Sequence, residues 1–76
     1  QILVNVRVKE KIPLDHIPSL QQALKEAEAH LADQGRVVLR YSGTENLLRI
    51  MVEGPHETLI HQEAQKLKDV ASLVLA

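Results

Sequence analysis

Apolar and polar residues alternate from the start of the chain. Ile2, Val4, Val6 and Val8 interleave with Leu3, Asn5 and Arg7, the period-two pattern of a half-buried strand, and β-branched side chains suit its pleated surface. Lys9, Glu10 and Lys11 end this strand in water. Pro13 and Pro18 bracket a connector, and Pro18 suits the first position of a helix, where its missing N–H costs nothing. The period then lengthens. Leu20, Leu24, Ala27 and Leu31 fall at helical spacing, with Ile17 one turn earlier. Gly35 is expected to stop this helix.

Arg36 to Arg40 reads as a second strand with a Val-Val-Leu centre, Ser42 to Asn46 as a turn, and Leu47 to Glu53 as a third strand. In the third strand Leu48, Ile50 and Val52 share one face, and Leu47, Arg49, Met51 and Glu53 the other. Gly54-Pro55 breaks it. A last helix is expected from about His56 to Leu75, with Ile60, Ala64, Leu67, Ala71 and Val74 along one stripe. The order is β-α-β-β-α. Strands two and three are close enough to form a hairpin. The pattern predicts a two-layer α+β domain with a small, mainly antiparallel sheet and two helices on one face.

Composition narrows the partners. The 76 residues make one domain, 45% hydrophobic, with Tyr41 the sole aromatic residue, so the core is aliphatic. A net charge of −1 gives no global field to draw in nucleic acid or an anionic membrane. RNA-reading sheets stack bases on exposed aromatics, which one tyrosine cannot supply. No apolar run approaches the roughly 18 residues of a membrane span. The absence of cysteine fits a cytoplasmic protein. The chain opens on Gln1 directly in a strand pattern, and residues 1–76 read as a piece of a longer protein.

The chemistry concentrates in Arg40-Tyr41-Ser42-Gly43-Thr44-Glu45, with Arg49 four residues on. Guanidinium forks match phosphate oxygens and stay charged at any working pH. Hydroxyls donate single hydrogen bonds, and glycine lets backbone N–H groups approach an anion. Ser42-x-x-Glu45 also fits a helix capping box, but the period-two pattern of Leu47 to Glu53 argues against a helix there. On spacing alone two readings stay open: a phosphate site, or an ordinary hairpin turn with solubilising arginines. Elsewhere the carboxylates of Glu10, Asp15, Glu26, Glu28, Asp33, Glu57, Glu63 and Asp69 are scattered, mostly on expected solvated helix faces. His16, His30, His56 and His61 lack zinc-ligand spacing and have no cysteine partners.

The run Arg-x-Ser-Gly-Thr-Glu-x-x-x-Arg from Arg40 to Arg49 resembles the phosphate-binding loop of the α-D-phosphohexomutase superfamily. Its flanks, Gly35 to Leu39 and Ile50 to Gly54, and the opening Leu3 to Val8 are similar as well. The resemblance covers essentially the whole chain and matches the C-terminal domain of those enzymes, implying a TATA-binding-protein-like fold. It also implies a part of an isomerase that moves phosphate between the 6 and 1 positions of a sugar, glucosamine first, with mannose, glucose or N-acetylglucosamine as alternatives. By the resemblance Arg40, Ser42, Gly43, Thr44 and Arg49 hold the non-reacting phosphate, and Glu45 supports the loop or an arginine. The phosphorylated serine and the Mg2+ loop would lie in other domains of the same chain, leaving this segment without catalytic or metal residues and inactive alone. Tyr41 and Asn46 depart from the family pattern. Many relatives carry proline or lysine at the first position and proline at the second, so a looser loop is expected.

Overall fold

The computed structural model describes residues 1–76. It comprises strand β1 (Ile2–Arg7), helix α1 (Pro18–Leu31), strands β2 (Arg36–Tyr41) and β3 (Leu47–Glu53), and helix α2 (Glu57–Leu75). Short 3-10 turns at Leu14–His16 and Ala32–Gln34 flank α1. β3 lies in the middle of the sheet, antiparallel to both neighbours, in the order β1-β3-β2. Both helices pack on one face of the sheet, where Val6, Leu48, Ile50 and Val52 meet Leu20, Ala27, Leu67 and Ala71 in a single core. The other face is open. This is the two-layer α+β arrangement that the alternation and helical stripes predict.

Three details differ from the sequence reading, each for a physical reason. First, Gly35 does not stop α1. The helix ends at Leu31, and the reversal falls on Ala32, at φ 53° and ψ −134°. Gly35 itself is extended, at φ −155°, and its role is closeness: a Cβ there would stand 2.3 Å from the Glu53 carbonyl oxygen. Second, the α2 stripe ends on Leu75, which is buried, while Val74 is 39% exposed. Both spacings fit a helical stripe, and burial in the shared core decides for Leu75. The Lys9 N–H donates to the Leu75 carbonyl at 2.9 Å.

Third, Glu63 is not solvated. It is 2% exposed, at the contact of the two helices, where its Oε2 lies 3.1 Å from Nδ1 of His30 and 3.4 Å from Nζ of Lys66. A buried carboxylate needs these partners. Leucine at this position would fill similar volume without the desolvation cost. Glu63→Leu is therefore expected to hold or raise Tm. The double variant His30→Ala/Lys66→Ala strands the carboxylate and is expected to lose about 1–3 kcal/mol. Thermal melts of the two proteins check this, and a large loss in Glu63→Leu would contradict it.

Candidate functional site

The sheet register decides where the arginines go. Arg40 of β2 stands directly across from Arg49 of β3, and Asn5 of β1 stands across from Arg49 on its other side. All three are exposed and form one row across the open face. The next row is Leu3, Met51 and Val38, and Glu53 and Arg36 face each other beyond it. Arg36 forms an ion pair with Glu53. Arg40 and Arg49 have no such partner, for the ion pairs of the protein involve only His30, Arg36, Lys66, Glu53 and Glu63. Like charges directly opposite each other destabilise a sheet. Two strands that pair arginine with glutamate at one end thus pair arginine with arginine at the other.

The Ser42–Asn46 turn closes over this row. Its base is a backbone bond from the Ser42 N–H to the Leu47 carbonyl, and the Asn46 carbonyl accepts from the Val8 N–H, both at 2.9 Å. Ser42 is 6% exposed. Its Oγ accepts from the N–H groups of Thr44 and Glu45, each at 3.3 Å, the local serine turn that draws the backbone round. Gly43 and Thr44 are exposed at the tip. Arg40, Tyr41, Ser42, Gly43, Thr44 and Arg49 together line a concavity of about 350 Å³. A second, of about 300 Å³, adjoins it on the open face between Arg40, Arg49, Leu3, Val38 and Met51.

The structure brings Arg40, Ser42, Gly43, Thr44 and Arg49 to one concavity. The five do not present themselves alike. The Ser42 hydroxyl oxygen faces the loop's own amides, so its O–H is what remains to donate outward. The Glu45 carboxylate forms no ion pair; the residue joins the loop through its backbone N–H. No three histidine, aspartate or glutamate side chains converge, so the residues present do not fit a magnesium site. No helix is long and apolar enough to cross a membrane.

Two sets of residues around the site were not singled out by the motif. Asn5 and Arg7 lie on the open face, Arg7 across from Leu47, and the alternation of β1 already placed them there. Lys11 and Tyr41 bind the loop to the β1–α1 connector. The Lys11 Nζ donates to the Ser42 carbonyl at 2.6 Å, and the Tyr41 hydroxyl donates to the Ile12 carbonyl at 2.5 Å. Burial pushes the Tyr41 phenol above its usual range, which keeps it protonated as that donor. No local pattern gives these contacts, which span about thirty residues of sequence.

Comparison with known proteins places the chain in a family. Residues 3–70 match the family described as "Phosphoglucomutase/phosphomannomutase, C-terminal domain". The phosphoglucosamine mutase of Chlamydia felis is 51% identical over 70 residues, 92% of this chain and 15% of that protein. Those of Solidesulfovibrio magneticus and Lawsonia intracellularis are 47% and 42% identical over all 76 residues, each match covering 17% of the relative. The chain thus spans about a sixth of the length of the curated relatives it matches. With a match across nearly its whole length, the chain belongs to the C-terminal domain family of the phosphoglucomutases and phosphomannomutases.

Proposed function

We propose that this chain is the phosphate-clamping domain of a phosphoglucosamine mutase, which interconverts glucosamine 6-phosphate and glucosamine 1-phosphate. The observation that carries the reading is the cross-strand pair Arg40 and Arg49, two exposed guanidiniums without a carboxylate, beneath a serine-glycine-threonine turn. A phosphate dianion supplies the charge that this pair lacks, and forked donors suit its oxygens. The mutase reaction passes through a bisphosphate, so the clamp must accept the sugar in two orientations. A site that grips the phosphate and leaves the sugar open to solvent serves both.

The relatives named above are phosphoglucosamine mutases, which favours glucosamine. The family description also names glucose and mannose mutases, and these sugars are the alternative. The phosphorylated serine, the magnesium site and the sugar contacts would belong to other domains of a cytoplasmic enzyme, and this chain alone would be inactive.

One wall of a site binds weakly. Without a closed, low-dielectric surround, the dissociation constant for glucosamine 6-phosphate is expected to be on the order of millimolar, equivalent to about 4 kcal/mol. Binding should rise as the phosphate's second proton leaves near pH ~6 and should fall with salt. In an NMR titration of the 76-residue chain, amides at Gly43 and Thr44 should move first, and inorganic phosphate should produce nearly the same shifts. No movement there at tens of millimolar ligand would refute the clamp.

A further inference from the structure

The loop's backbone donors are not equivalent. The N–H groups of Thr44 and Glu45 are spent on Ser42 Oγ, and that of Ser42 on the Leu47 carbonyl. The Gly43 N–H donates to nothing within the protein. It is the one amide of residues 42 to 45 left to meet an anion. Beyond its chain neighbours no atom lies within 4 Å of the position a Cβ at Gly43 would take, so the tip is open to solvent.

The direction of this N–H is set one bond away. The Gly43 N–H and the Ser42 C=O belong to the same peptide unit, which is planar and trans, so the two groups point in opposite directions. Lys11 donates to that carbonyl at 2.6 Å. Holding the C=O on the Lys11 side holds the N–H on the other. A cation on the oxygen also polarises the amide and strengthens its N–H as a donor. Lys11 is itself placed by the neighbouring Ile12, whose carbonyl accepts from Tyr41, the residue next to Ser42. The connector and the loop root are therefore tied in both directions. This tie supplies rigidity at a loop that has Asn46 rather than a proline.

We propose that Lys11 is a positioning residue of the phosphate clamp, fixing the Ser42–Gly43 peptide plane so that the Gly43 N–H is presented to the anion. The inference rests on the clamp reading of the loop. Lys11 is exposed and contributes nothing to the core, so Lys11→Met should keep the fold, with Tm lowered only by as much as one lost hydrogen bond implies.

The test uses the 76-residue chain and inorganic phosphate. In Lys11→Met the Gly43 amide should shift before any phosphate is added, and phosphate affinity should fall about threefold to tenfold, the effect of one hydrogen bond. Lys11→Arg, which keeps a cationic donor, should restore both. An unchanged Gly43 amide in Lys11→Met would overturn the proposal, even if affinity fell, because Lys11 would then act only as a distant charge. Unchanged affinity with a moved amide would overturn it too. Arg40→Ala and Arg49→Ala separate the two levels. If they bind phosphate as well as the parent chain, the clamp reading fails; if they lose binding while Lys11→Met does not, only the Lys11 proposal fails.

Discussion

Arg40→Ala and Arg49→Ala are each expected to lower kcat/KM about ten- to a hundredfold in a full-length mutase carrying this domain, the effect of one charge-assisted bond of roughly 1.5–3 kcal/mol. The stability change should have the other sign. Both guanidiniums are exposed and face each other across β2 and β3, so removing either relieves a like-charge contact. Tm should hold or rise slightly while activity falls. Arg49→Lys should lie between, because it keeps the charge and loses the fork. Steady-state kinetics beside thermal melts decide the matter. Unchanged kinetics would remove the arginines from the site. Activity lost in step with unfolding would make them structural.

That pairing was legible in the chain because strand periodicity carries it. Leu47 to Glu53 alternates cleanly, which fixes Arg49 on the face away from Leu48, Ile50 and Val52. The hairpin was expected from the short turn, and the structure supplies the register that sets Arg40 directly across from Arg49. The family resemblance named the same residues independently. What stayed hidden lies where one period serves two structures, or where contact runs between distant segments. Val74 and Leu75 both fit the α2 stripe, and burial chooses Leu75. Glu63 reads as a polar helix residue until α1 is laid beside it with His30. Lys11 belongs by pattern to a solvated strand end, and its bond to Ser42 exists only once β1 and β2 flank the same strand. Tyr41, a departure from the family pattern, has its tie to Ile12 for the same reason.

Gly35 is the position where sequence and structure disagree most, and the disagreement is measurable. Glycine after an apolar helical stripe signals a left-handed stop, but the backbone here is extended and needs no glycine for its angles. What glycine provides is the missing Cβ, which would otherwise stand 2.3 Å from the Glu53 carbonyl oxygen and 3.3 Å from the Gly54 Cα. Both are backbone atoms at the end of the central strand, so neither can swing aside as a side chain would. Gly35→Ala is expected to cost about 1–3 kcal/mol by overpacking, lowering Tm by about 4–8 °C for each kcal/mol in a domain of this size. Gly35→Asn discriminates between the two roles. Asparagine is the usual second choice for a helix stop and would be tolerated in that role, whereas a close approach rejects it at least as strongly as alanine. The true reversal at Ala32 predicts the opposite sign. Its φ of 53° with ψ of −134° is a region of non-glycine strain, so Ala32→Gly should gain about 1 kcal/mol. Melts of the three variants would show two falls and one rise. A tolerated Gly35→Asn would restore Gly35 as the stop of α1.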